Sequence, residues 1–382
     1  MSGAPGRGAN EALIGAQGSR WQLNTPALVL DLDLMEKNLD AMVRLAAERG
    51  VALRPHAKAH KSLAIARLQV EAGALGVCCA TVGEAEVMVG GGIDNVLVTS
   101  PITAAGKMQR LAALNARAEG LMAVADAADV VAGLDAAAAK AGKALKILVD
   151  IDIGQRRTGA VGIEGALVVA HRVRDSQFLE FAGIQAYAGH IQHIEDYGTR
   201  QAAATAAIEE TRAVAAGLEA DGIGVPMITG AGTGTHDFDA AAGVYTELQV
   251  GSYLFMDAQY GAVSQKDGGA GPFAVSLFVQ STVISANRAG QATTDGGLKV
   301  FATDGPAPVI AAGAPAGATY EFTGDEFGCV VFADSGQGLT PGDVVECIVP
   351  HCDPTVNLHD FYHCVRGDTV VDIWPIDARG RY

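Results

Sequence analysis

Between Leu53 and Lys61 the chain reads Leu-Arg-Pro-His-Ala-Lys-Ala-His-Lys, placing three cations and two histidines within eight residues. The stretch joins an apolar, strand-like run to a helix-like one. A lysine at such a junction, at the mouth of an α/β barrel, is placed to form a Schiff base with a carbonyl compound. Desolvation and neighbouring positive charge lower the pKa of such a lysine, as an amine nucleophile requires. A solvated basic turn has the same composition. The stretch therefore acquires its meaning from the other residues of the chain.

Several segments end in unusual side chains. Asp150-Ile151-Asp152-Ile153-Gly154-Gln155-Arg156-Arg157 closes one apolar run, and Gln185-Ala186-Tyr187 closes another, with His190 and His193 just beyond. Thr229-Gly230-Ala231-Gly232-Thr233-Gly234-Thr235 reads as a phosphate loop: glycines admit close approach, amides point inward and hydroxyls add donors. No Gly-Lys-Ser/Thr follows, so it is not a Walker sequence, and an ordinary Gly-rich loop has the same letters. In an extended segment His351 and Asp353 share one face and Cys352 takes the other. Imidazole plus carboxylate suits Mn²⁺, Mg²⁺ or Zn²⁺ with positions left open. His359-Asp360 follows closely, as outer support or as nothing.

These residues need a scaffold. Apolar runs at 27–31, 51–55, 76–81, 95–99, 121–125, 145–152, 181–187 and 225–229 alternate with helical patterns such as 34–49 and 202–220. Near-continuous apolar strands alternating with helices predict a parallel sheet covered on both faces. Eight such units close into a (β/α)8 TIM-like barrel with its site at the C-terminal strand ends; a doubly wound open sheet is the alternative. Beyond about residue 261, short β-rich runs at 273–284, 319–323, 329–332, 344–349 and 369–374 predict a second, mostly β domain, with 311–318 as a loop. The expected division is 27–262 for the barrel and 263–382, with the N-terminal segment 1–26, for the β-domain.

The chain has 382 residues, 49% apolar and 18% charged, which allows a sizeable core. Its net charge of −16 argues against nucleic acid or an anionic membrane as partner, and makes residues 54–61 the densest local positive site. Six cysteines without a CxxC spacing read as reduced, buried thiols of a cytoplasmic protein. No apolar stretch approaches the length of about eighteen residues that a spanning helix needs. The first twenty residues read as a loose tail.

Taken together, R-P-H-A-K-A-H-K at 54–61, V-C-C at 77–79, D-x-G-Q-x-R at 152–157, Q-A-Y at 185–187, T-G-x-G-T-G at 229–234, G-V-Y-T-E-L-Q-x-G-S-Y at 243–253 and H-C-D-P-T-x-N-L-H-D at 351–360 agree with one family. Over residues 20 to 382 the sequence resembles the metal-activated D-threonine aldolases. That group includes 3-hydroxy-D-aspartate aldolases and is related to eukaryotic-type D-serine dehydratases. The resemblance implies an alanine-racemase-like barrel plus β-domain, a homodimer, pyridoxal phosphate and a divalent metal (Mn, Mg, Co or Zn). It also implies roles. Lys58 is the Schiff-base lysine, and Arg157 lies beside the cofactor's phenolic oxygen. Tyr187, Thr233, Gly234, Gly251, Ser252 and Tyr253 are cofactor contacts. His351 and Asp353 are metal ligands, and His193 handles the substrate hydroxyl proton. The implied substrate is a β-hydroxy-D-amino acid, cleaved to glycine and an aldehyde. A dehydratase on the same scaffold is the nearest rival, but related dehydratases tend to carry His-x-Cys, a softer pair than His-x-Asp. A racemase or a non-catalytic pyridoxal-phosphate carrier has less use for the metal pair. One departure stands out: relatives usually read D-E-H-G where this chain has Asp325-Glu326-Phe327-Gly328.

Overall fold

The computed structural model describes residues 7–266, 268, 271–333 and 338–382. Eight parallel strands form the barrel: Ala52–Leu53, Cys78–Cys79, Leu97–Val98, Met122–Ala125, Leu145–Asp152, Leu179–Ala186, Ile228–Gly230 and Glu247–Leu248. From Cys78–Cys79 onward each pairs with the next, and Glu247–Leu248 returns to Ala52–Leu53. A lone parallel bridge between His56 and Cys78 closes the ring. The outer helices bury one stripe each. Leu32–Arg49, for example, buries Leu32, Met35, Leu39, Met42 and Ala46, roughly one residue per turn. Each large apolar side chain so buried contributes about 1.5–3 kcal/mol. Asp31 caps that helix by accepting the Leu34 amide, and Gly50 ends it at φ +69°.

Two strand assignments need correction. Ala27–Asp31 is not in the barrel; it pairs antiparallel with Leu277–Arg288 and parallel with Phe361–Arg366 in the second sheet. All five of its residues are buried, so its pattern suits either sheet, and only long-range pairing decides. The eighth barrel strand is instead Glu247–Leu248, whose two residues carry no periodic signal.

The second sheet is mostly antiparallel, and it includes Gln291–Thr294, Val309–Ala312 and Phe361–Arg366 beside the strands expected from sequence. Val309–Ala312 thus takes the start of the expected loop 311–318. Residues 1–6 of the expected loose tail lie outside the described residues. The remainder is packed: the Gly15 amide donates to Val370 O, and Arg20 bridges Asp31 and Glu346. All six cysteines are buried and free. Among the described residues no helix is long and apolar enough to cross a membrane.

The cations of the 54–61 stretch separate in space. Arg54 is buried at the barrel wall and forks onto Glu247 at 2.8 and 2.9 Å, joining the first and last barrel strands. Lys61 pairs with Glu84, also buried. Neither forms part of an anion pocket. Removing one partner of a buried pair costs about 3–5 kcal/mol. Glu247→Ala should therefore lower the urea midpoint strongly, whereas Arg54→Met with Glu247→Leu should recover much of the loss. A Glu247→Ala midpoint equal to that of the parent would show that the pair does not hold the barrel closed.

Candidate active site

Lys58 lies in the 3-10 turn Ala57–Ala59, just past the strand Ala52–Leu53. His56 caps this turn, its Nδ1 accepting the Lys58 amide at 3.3 Å. Its Nε2 stands 3.1 Å from Thr99 Oγ1, and that hydroxyl donates to Cys79 O. With Nδ1 accepting and the hydroxyl proton committed, Nε2 carries the ring proton. Burial, and then the Lys58 charge, push the His56 pKa well below its ordinary value, so a neutral imidazole stands beside the amine.

The amine itself departs from expectation. Burial opposes its charge, but the Asp353 carboxylate 2.5 Å away more than offsets this and holds Lys58 above the usual lysine range. The cations expected to depress it are engaged with Glu247 and Glu84.

His351 and Asp353 also reach the cleft by a route other than strand alternation. Cys352–Val356 is a short helix with His351 at its N-cap and Asp353 in its first turn. Asp257, fully buried, accepts the Tyr260 and Cys352 amides at 2.9 Å each and so fixes the backbone between the two candidate ligands. Asp304 Oδ2 lies 2.8 Å from His351 Nδ1, leaving Nε2 as the free nitrogen. Neither Asp257 nor Asp304 had a signal in the sequence. Among the described residues no three His, Cys, Asp or Glu side chains gather as a metal cluster.

These groups open on one cleft of about 420 Å³ at the C-terminal strand ends. Lys58, Arg157, Tyr187, His193, Thr233, Gly251, Ser252, His351 and Asp353 all line it. Arg157 stacks on Tyr187, 5.7 Å from the ring centre. His193 is exposed, with its ring 4.5 Å from Tyr260 and 6.1 Å from His351. Burial, and then the neighbouring His351 ring, depress its pKa. Gly234 and Tyr253 lie outside the lining. The Tyr253 ring is buried against Phe273, and its amide donates to Thr233 Oγ1. Phe327 is 47% exposed on a turn of the β-domain and does not line the cleft of its own chain. His359 donates to or accepts nothing at the cleft; its Nε2 bonds Val300 O.

The cleft floor is a polar network that the sequence did not reveal. Gln185 Nε2 donates to Asp150 Oδ1 and to Thr99 O, and Thr158 Oγ1 donates to Asp150 Oδ2. Burial raises the Asp150 carboxyl to about 6 against these bonds. An acid whose pKa rises on folding is protonated longer in the native state than in the unfolded chain. Its stability cost therefore grows between about pH 4 and 6 and then stays level, at roughly 3 kcal/mol. Asp150→Asn, which keeps an acceptor for Gln185, should gain stability over the parent at pH 8 but not at pH 4. Equal midpoint shifts at both pH values would contradict a proton held on Asp150.

The alanine racemase N-terminal domain model matches residues 30–259, and a serine dehydratase domain model matches 276–365. The D-threonine aldolase of Arthrobacter sp. is 41% identical over 362 residues, covering 94% of this chain and 93% of that protein. The 3-hydroxy-D-aspartate aldolase of Paracoccus denitrificans (strain Pd 1222) is 37% identical over 364 residues, with the same shares covered. The crystal structure of D-threonine aldolase from Filomicrobium marinum superposes with a TM-score of 0.89 at 41% identity, covering 94% of this chain and 96% of that one. Motifs, fold and relatives agree: the chain belongs to the alanine racemase N-terminal domain family and, within it, to the group of D-threonine and 3-hydroxy-D-aspartate aldolases.

Proposed function

We propose that this protein is a pyridoxal-phosphate- and divalent-metal-dependent aldolase that cleaves β-hydroxy-D-amino acids of the D-threonine or 3-hydroxy-D-aspartate kind to glycine and an aldehyde. The observation that carries the reading is the convergence of Lys58 and His193 with His351 and Asp353 on one cleft. The barrel, within 32–262, is read as the cofactor-binding unit. Residues 263–382, with the N-terminal segment, are read as the unit that supplies the metal ligands. A cytoplasmic homodimer is the working form this reading adopts from the resemblance.

The residues fit both groups. Lys58 offers the amine, Arg157 a guanidinium, and the Thr233 and Ser252 amides have no hydrogen-bond partner among the described residues, as phosphate donors should not. His351 Nε2 and the Asp353 carboxylate form a nitrogen–oxygen donor pair suited to a divalent ion of the Mn²⁺ or Zn²⁺ kind. When bound, pyridoxal phosphate supplies an electron sink at Cα and the ion a Lewis acid at the β-hydroxyl. His193, exposed to the cleft beside His351, accepts the hydroxyl proton at a ring nitrogen as Cα–Cβ breaks. Lys58 enters the cleft from the barrel and the His351–Asp353 pair from the β-domain side. With those two walls fixed, one Cα configuration carries its hydroxyl to the pair, which supports selection of D substrates.

Four measurements test the reading. D-threonine and 3-hydroxy-D-aspartate should release glycine; ammonia and 2-oxo acid as the main products would replace the aldolase by a dehydratase. Lys58→Ala should lose the visible absorption of the cofactor, and borohydride should attach the cofactor at Lys58 rather than at Lys61. His351→Ala and Asp353→Ala should abolish cleavage while that absorption persists. Loss of His193 should lower turnover by about 10²–10⁴-fold, with cofactor loading unchanged.

A further inference from the structure

His193 projects from an irregular segment between the turn Gly189–Ile191 and the helix Tyr197–Ala220. An exposed residue in such a segment needs something to hold it. The backbone on both sides of His193 is tied to the Gly-rich loop, by Gln192 before it and by Arg200, seven positions on, after it. On one side, Gln192, 1% exposed, accepts the Gly234 amide on Oε1 at 2.9 Å and donates from Nε2 to Thr235 Oγ1 and Ala188 O. On the other, Arg200, also 1% exposed, reaches back from the first turn of its helix. Its Nη1 donates to Ile194 O at 2.7 Å and to Glu195 O at 3.2 Å. Its Nε donates to Gly234 O at 3.0 Å and its Nη2 to Ser264 O at 2.6 Å.

The backbone N–H and C=O of Gly234 are thus both held by residues that bracket or clamp the His193 segment. The glycines have a corresponding reason to be glycines. A Cβ at Gly232 would stand 2.4 Å from Gln192 Oε1, and one at Gly234 would stand 1.9 Å from Gln192 O. These residues lack side chains because the His193 segment packs against them. Arg200 makes four bonds to backbone carbonyls and no ion pair among the described residues. A buried guanidinium without a carboxylate is costly to keep. Its planar fork can span carbonyls on three separate segments, which a lysine ammonium cannot do.

We propose that Arg200, with Gln192, is a positioning residue that locks His193 to the Gly232–Thr235 loop, so that the loop expected to hold the cofactor phosphate also sets the proton-accepting imidazole. The proposal rests on the reading of His193 given above. Its test uses Arg200→Lys in the holoenzyme. A displacement of about 1 Å costs roughly 10²-fold in rate, so kcat for D-threonine cleavage should fall by about that factor with KM changed much less. Exchange of the glycine α-hydrogen in deuterated water involves no β-hydroxyl and should continue at the parental rate. In a His193→Ala background, Arg200→Lys should add nothing, as expected for residues acting as one unit. Amide exchange of the 189–196 peptide should quicken while barrel-strand peptides are unchanged.

Parallel loss of cleavage and glycine exchange would make Arg200 merely structural, and additive losses with His193→Ala would separate the two residues. Full cleavage by His193→Ala alone would overturn the role of His193, while unchanged exchange of the 189–196 peptide in Arg200→Lys would overturn the clamp itself. If Arg200→Lys does not fold, Gln192→Met is read by the same assays, with the same outcomes deciding.

Discussion

A single buried carboxylate joins the two halves of the cleft. Asp257 follows the last barrel strand and accepts the amide of Cys352, the residue between the two candidate metal ligands. Around it, Ala258 and Gln259 donate to Val349 O and Pro350 O, and Tyr362 OH donates to His60 O beside the Lys58 turn. The amine comes from one sheet and the His–Asp pair from the other. Their relation therefore depends on this seam rather than on either core. Hydrogen bonds buried in such a seam are worth more than exposed ones, because a broken partner cannot recover water.

The electrostatic layout follows from the same economy of positions. Among the described residues the cationic side chains that line the cleft of this acidic chain are Lys58 and Arg157, while Arg54 and Lys61 are neutralised inside the fold by Glu247 and Glu84. Asp353 holds the Lys58 charge in place. Thus the three cations of the stretch 54–61 divide their labour: Arg54 closes the barrel, Lys61 ties the helix Val82–Gly90, and Lys58 alone of the three lines the cleft. His56, kept neutral by its surroundings, positions the Lys58 turn without competing for a proton.

Chemistry and scaffold overlap most in the Gly-rich loop. Its threonine and glycines line or back the cleft, yet the room at Gly232 and Gly234 is taken by Gln192. A loop legible as a phosphate cradle is at the same time the docking face of the His193 segment.

Much of this protein was legible in the chain itself. Alternating apolar runs and helical stripes set the barrel and the β-rich remainder, because burial on both sheet faces leaves a composition that local pattern can carry. The motifs around Lys58, Arg157, Tyr187, His193, Thr233, His351 and Asp353 identified residues that do share one cleft. Tertiary structure alone decided the rest. Ala27–Asp31 joined the second sheet, and two residues at Glu247–Leu248 completed the barrel, since strand partners are chosen by contacts far apart in sequence. Asp257, Asp304, Gln192 and Arg200 acquired their tasks only through distant partners, and the pKa of Lys58 rose rather than fell because Asp353, nearly three hundred positions away, came to lie beside it. Local sequence records propensity and burial; which charge meets which is determined when the chain closes on itself.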